Sequence, residues 1–162
     1  MRIEIRQDAW KAWIAAGLWL ALIAIESTDL LSANNTGHFL YGLLTSLFGP
    51  INPATFFQWH HIGRKVGHIL GYGILSLLLF RAWRATLPVN GAPRWSLRWA
   101  QVALLMTALV ASLDEWHQSF IPSRTGTWQD VVLDSAAALA AQFMLYLFLR
   151  RWRVRAPQAV SF

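Results

Sequence analysis

The chain predicts an all-α fold: a four-helix transmembrane bundle with a long first extracytoplasmic loop. Three observations carry that reading. Hydrophobic residues make up 56% of the 162 positions and charged residues only 14%, against about 25% charged in a soluble domain; mean hydropathy is +0.37. Four apolar segments approach the ~20 residues a helix needs to cross a bilayer. Trp10, Trp83, Trp95, Trp99 and Trp152 sit at segment ends, where membrane-interface aromatics belong. Within lipid the backbone must satisfy its own hydrogen bonds, so each segment is expected to be a helix.

The first span covers about 10–31 and turns polar at Glu26, Ser27, Thr28 and Asp29. Arg2, Arg6 and Lys11 precede it, as in a signal peptide. No small-x-small cleavage site follows, so an uncleaved anchor is expected. The next stretch, Ser32–Gly63, is long for a loop in a compact domain. It holds an apolar piece, Phe39–Phe48, bounded by Gly37 and by Gly49-Pro50. That piece is too short to span, which predicts an interfacial or re-entrant helix, either a lid over the external face or a segment resting on lipid. The remaining spans are 66–83, 97–116 and 130–149. Residues 1–162 read as a single membrane domain with tails 1–9 and 150–162. No internal repeat is visible, which counts against an inverted-repeat transporter.

Charge sets the expected orientation. Arg2, Arg6 and Lys11, then Arg81, Arg84, Arg94 and Arg98, then Arg150, Arg151, Arg153 and Arg155 account for eleven of the fourteen basic residues. Four spans put these three groups on one side, the cytoplasm by the positive-inside rule. Arg64, Lys65 and Arg124 fall on the other side, with all five histidines and six of the eight acids. The basic residues flank spans and form no stripe with stacking aromatics, so a nucleic-acid partner is not expected. There is no cysteine, which excludes disulfides and thiolate chemistry.

The external side concentrates unusual polarity. Arg64, His68 and Tyr72 are spaced i, i+4, i+8 and share a helix face, with Lys65 beside it. Gly67, Gly71 and Gly73 lie among them and read as a surface for close helix approach. Asp114 and Gln118 are i, i+4 at the end of the third span, with Glu115 adjacent. Asp130 and Asp134 are i, i+4 at the start of the fourth, and Asp134 leads into a small-residue surface from Ser135 to Ala141. Asp134 lies a full turn inside an apolar span, where a charge is costly and generally has a partner or a task.

Several chemistries fit these residues. His68 with Asp114 or Glu115 is a candidate general acid/base pair. Arg64, Lys65 and Arg124 can grip an anion. Tyr72, Gln118, Asp130 and Asp134 complete the candidate ligand-binding set. His68, His117, Asp114 and Glu115 are metal-ligand types, but Asp-Glu-x-His lacks the paired histidines of a metalloprotease helix, so no metal is assigned. No nucleophile elbow, phosphate loop or redox cofactor motif appears, and no cofactor is expected. Plainer readings compete. Arg124 with Asp114 or Asp130 is then an ion pair stapling helix ends, Asp130 is the N-cap of the fourth helix, and His117 and Glu115 face water.

Two stretches resemble a known family. Arg64-Lys65-Val66-Gly67-His68-Ile69-Leu70-Gly71-Tyr72-Gly73-Ile74-Leu75 resembles the Lys-x-x-His-x-x-x-Tyr-x-x-Leu motif of the VanZ-like family, with Lys65, His68 and Tyr72 in register. Asp114-Glu115-x-x-Gln118-x-Phe120-x-Pro122-x-Arg124-x-Gly126-x-x-x-Asp130 looks like the same family's second motif. One departure stands out: members often carry Asn four residues after the last Asp and a Gly soon after, where this chain has Asp134 and Ala138. The resemblance implies a bacterial inner-membrane protein of the cell envelope, in a family whose namesake is associated with teicoplanin resistance. It does not supply a reaction.

The expected function is therefore an extracytoplasmic site that binds, and in one version modifies, an anionic lipid-linked or peptidoglycan-related ligand. Arg64, Lys65 and Arg124 would hold the anion, His68 with Asp114 or Glu115 would handle protons, and Tyr72 and Gln118 would orient the ligand. The alternatives are a non-catalytic membrane module whose polar network is structural, and a small transporter or flippase using His68 and Asp134 as a proton relay. Membrane lipids are the expected surroundings, and the oligomeric state stays open.

Overall fold

The structure is a computed structural model that describes residues 2–87 and 94–154, with side chains from 9 to 87 and from 94 to 151. The side chains of Arg2, Arg6, Trp152 and Arg153, and the whole of Arg155, lie outside the described residues. The described chain is all-helical: α1 (Arg2–Glu26), a 3-10 turn (Asp29–Leu31), α2 (Ala33–Phe48), α3 (Pro53–Thr86), α4 (Leu97–Gln118) and α5 (Trp128–Val154). Four segments, Ala9–Glu26, Pro53–Thr86, Leu97–Gln118 and Trp128–Arg151, are long and apolar enough to cross a membrane. Their outer surfaces expose residues that a water-soluble core would bury: Leu18 is 69% exposed, Leu105 69% and Met144 65%. Helices apolar on their outward faces suit a lipid solvent.

The helix ends differ from the hydropathy reading in two places. The first span stops at Glu26, not near residue 31, because the chain tightens there: Thr28 N–H bonds the Ile25 carbonyl at 3.1 Å and its hydroxyl bonds the same oxygen at 2.7 Å. The helix that carries the second span starts at Pro53, ahead of residue 66. Asn52 caps it, its side-chain oxygen accepting from Thr55 N–H at 3.2 Å, and Pro53 occupies the first helical position, where its missing N–H costs nothing. Residues 58–65 are too polar for a hydropathy window but contain nothing that breaks a helix. At ~1.5 Å per residue α3 is about 51 Å long, well over the ~30 Å of a hydrocarbon core.

The long first loop is therefore mostly helix. Ser32 caps α2 by accepting from Asn35 N–H, and Gly49 ends it at φ 87°, in the left-handed region that glycine tolerates. α2 folds back on the first turns of α3 through an aromatic seam: Tyr41 stacks on Phe57 at 5.8 Å, and His38 meets Phe57 edge-on at 5.5 Å. The Tyr41 hydroxyl closes the hairpin by donating to the Ile51 carbonyl at 3.0 Å.

α3 is the central post, with α1, α4 and α5 packed around it. Against α1, Trp13 meets Trp83 edge-on and the Trp19 indole donates to the Gly71 carbonyl at 2.8 Å. Against α4, Phe80 meets Trp99 edge-on. Against α5, Gln142 donates to both the Ser76 carbonyl and its hydroxyl at 2.9 Å. Small residues set the spacing: Ala103, Ala111 and Ala138 are fully buried, and a Cβ on Gly73 would sit 3.8 Å from that of Ala141. α1 and α4 run antiparallel to α3 and α5 runs parallel to it. The end of α1, the middle of α3, the end of α4 and the start of α5 therefore meet at one level.

Candidate functional site

That level holds the polar residues of both motifs. α3 delivers Arg64, His68 and Tyr72 from one face. The Tyr72 hydroxyl, on a residue only 2% exposed, donates to Asp114 Oδ2 of α4 at 2.7 Å, and Gln118 Nε2 donates to the same oxygen at 3.1 Å. The His68 ring lies nearly parallel to that of Tyr72, 6.1 Å away, and its Nδ1 is 3.3 Å from Asp134 Oδ2 of α5. Glu115, on the next residue of α4, is also buried. Its Oε2 accepts from Thr127 N–H at 2.8 Å.

The loop between α4 and α5 brings these groups together by a close backbone approach. Gly126 lies against the end of α4, where an added Cβ would overlap the Glu115 carbonyl oxygen and crowd Ser119 N, 2.9 Å away. Thr127, not Asp130, is the N-cap of α5. Its hydroxyl accepts from Asp130 N–H at 3.3 Å, which caps the helix, and donates to Asp130 Oδ2 at 2.9 Å. Asp130 is then free to pair with Lys65 Nζ at 2.7 Å.

The cations are divided. Arg124 bonds the Glu26 carbonyl and, at 2.8 Å, the Thr28 carbonyl. Arg64 bonds the Leu31 carbonyl at 2.8 Å. Both guanidiniums thus satisfy carbonyls that the end of α1 and the following turn leave open, where the helix dipole also favours a cation. Burial, and after it the charge of Arg64, push the Arg124 guanidinium below its ordinary value. Ser123 adds a hydroxyl bond to the Asp29 carboxylate, so the α4–α5 loop is tied to the end of α1 at two points. Lys65 pairs with Asp130, and Arg124 uses carbonyls, not a carboxylate. His117 is exposed and sits 3.3 Å from the Ser27 hydroxyl.

A cavity of about 640 Å³ opens between α2 and this polar level. Arg64, His68, Tyr72, Asp114 and Gln118 line it. Lys65, Glu115, Arg124, Asp130 and Asp134 do not, although Glu115 and Asp134 are buried directly behind His68. Gly63, Gly67 and Gly71, spaced i, i+4, i+8, form a smooth strip along its wall, and a Cβ added at any of them would meet nothing within 4 Å. Of the α3 glycines, Gly73 is the one whose Cβ position meets another helix. Gly67 and Gly71 keep side chains out of open space. Leu40 and Leu44 of α2 and Phe56 and Trp59, earlier on α3, add apolar lining.

Hydropathy reading missed several of these groups. Glu26, Thr36 and His60 line the cavity as well, and the Thr36 hydroxyl lies 3.3 Å from His60 Nε2. The glycine spacing was visible in sequence, but only the cavity shows which way the strip faces. A family model described as VanZ/LLP1 matches residues 12–150. No curated protein and no solved structure matches the chain.

Proposed function

The chain belongs to the VanZ/LLP1 family, and from that premise we propose that it binds an anionic amphiphile, a lipid-linked or peptidoglycan-related ligand, in the cavity beneath α2. One observation carries this reading: a glycine-smoothed trough with an apolar roof ends on a polar floor. Gly63, Gly67 and Gly71 leave room for a chain against α3, while Leu40, Leu44, Phe56 and Trp59 offer it apolar contact. Arg64, His68 and Gln118 offer the head group donors, and Arg64 provides the cation, while the Tyr72 hydroxyl holds Asp114. Lys65 and Arg124 act one step away, as the pair of Asp130 and the clasp on the end of α1.

The same reading places the cavity on the extracytoplasmic face of a bacterial inner membrane, with both tails in the cytoplasm. Its support is the excess of Lys and Arg in the tails and the second loop. A reporter fused after Ser123 should be active only outside the cytoplasm. A role in teicoplanin resistance follows if the ligand is a cell-wall precursor, and glycopeptide susceptibility of a host expressing the chain tests it.

The experiment for the site is native mass spectrometry of the protein released from lipid, with Gly67→Leu as the comparison. Wild type should retain an anionic lipid that the variant loses while keeping its melting temperature. Equal lipid on both would sink the proposal. The closed Tyr72–Asp114–Gln118 network favours a second reading, in which this level only joins helices. Under it, Asp114→Asn lowers the melting temperature and leaves bound lipid unchanged.

A further inference from the structure

Behind the wall formed by His68 lie two carboxylates that the cavity reading does not use. One donor atom each from His68, Glu115 and Asp134 can be chosen so that all lie within 4.8 Å of one another. They come from α3, α4 and α5, so three helices converge on one point. Asp134 is fully buried, and its Oδ1 has no hydrogen-bond partner among the described residues. A buried carboxylate oxygen left without a donor is costly. The cations of this level are engaged elsewhere: Lys65 with Asp130, and Arg124 and Arg64 with backbone carbonyls.

We propose that His68, Glu115 and Asp134 bind a divalent first-row transition-metal cation, with zinc as the reference ion. The donor set is one imidazole and two carboxylates. Imidazole favours such an ion over magnesium or calcium, which prefer all-oxygen sites. A divalent cation would balance the two carboxylate charges and, bound by both oxygens of Asp134, give Oδ1 the partner it lacks. Donors bound ~2.1 Å from one tetrahedral ion lie roughly 3.4 Å apart, close to the 3.3 Å between His68 Nδ1 and Asp134 Oδ2. The Glu115 donor atom lies within 4.8 Å of the other two. The Thr127 N–H already orients that carboxylate, as outer-shell donors do for metal ligands.

Three protein donors leave at least one coordination position open. His68 is the member of the set that lines the cavity, so the metal site would adjoin the space assigned above to a ligand head group. The metal site does not rest on the lipid reading, since metal and lipid are measured separately.

The test uses the full-length, untagged protein in lipid nanodiscs, stripped with a chelator and then titrated with zinc. Wild type should take up about one zinc per chain. Loss of an outer-shell partner alone costs about 10–100-fold in metal affinity, so Asp134→Asn and Glu115→Gln should each weaken zinc by at least about 100-fold. Asp29→Asn, an exposed carboxylate on the 3-10 turn and outside the set, should leave stoichiometry and affinity unchanged. Melting curves exclude variants that fail to fold. Should those variants not fold, cobalt replaces zinc in wild type, and its visible absorption and paramagnetically shifted imidazole proton signals report a histidine ligand directly. Wild type that holds no zinc, variants that bind as tightly as wild type, or bound cobalt without imidazole signals would each overturn the site.

Discussion

The Tyr72 hydroxyl donates to Asp114 Oδ2 at 2.7 Å, and this bond joins the middle of α3 to the end of α4. Tyr72 is nearly fully buried and Asp114 half-buried, so neither finds an equivalent partner in solvent. Tyr72→Phe keeps the ring and removes the donor, leaving the Asp114 oxygen with Gln118 alone. The expected cost is about 1–3 kcal/mol, read as a lower melting temperature in detergent or nanodiscs. An unchanged melting temperature would show that the bond adds nothing to helix association.

Two glycines should respond to alanine in opposite directions. A Cβ at Gly126 would overlap the Glu115 carbonyl oxygen. Gly126→Ala must therefore push the α4–α5 loop away, at about 1–3 kcal/mol for overpacking. A Cβ at Gly67 meets nothing within 4 Å, and alanine favours a helix over glycine by up to about 1 kcal/mol. Gly67→Ala should thus raise stability slightly. Thermal denaturation of the two variants side by side reads the signs, and matching signs would contradict the placement of these residues.

The two cation contacts should also differ in weight. Lys65 and Asp130 form a pair whose side chains are 45% and 26% exposed, and exposed pairs contribute below about 1 kcal/mol. Lys65→Met should therefore change stability little. Arg124 holds two backbone carbonyls at and just after the α1 end from a partly buried position. Lysine cannot reproduce the planar fork. Arg124→Lys should cost more, about 1.5–3 kcal/mol, and should expose the α1 end to amide hydrogen exchange around residues 26–31.

Asn52 caps α3 through its bond from Thr55 N–H. Asn52→Ala should cost about 0.5–2 kcal/mol. The loss should be local: faster amide exchange over the first turns of α3 and in α2, with the contacts between α3 and α5 unaffected. Exchange that accelerates throughout the bundle would mean that α2 is part of the global folding unit.

Much was legible in the chain before any coordinate. Hydropathy located four membrane-length helices, and the small-residue run after Asp134 marked the tightly packed face of α5. The polar residues that gather at one level came from two short stretches readable by spacing alone. The long α3 was not legible, because residues 58–65 are polar and hydropathy reports solvent preference, not helix continuity. The capping role of Thr127 was missed because Asp130, three residues on, is the stronger acidic signal at the same helix start.

The sequence by itself determined the number and nature of the spans and the membership of the polar level. Solvent transfer energy and side-chain type are local properties, so they can be read residue by residue. Only the tertiary structure decided who meets whom. It paired Lys65 with Asp130 and gave Arg124 to the end of α1; it turned Gly63, Gly67 and Gly71 toward a cavity and set Asp134 behind His68. Those outcomes depend on the rotation and axial offset of each helix. A helix apolar on its lipid-facing and core-facing sides alike carries little hydrophobic periodicity to set its rotation. Packing of small residues and the ties of the short loops set it instead.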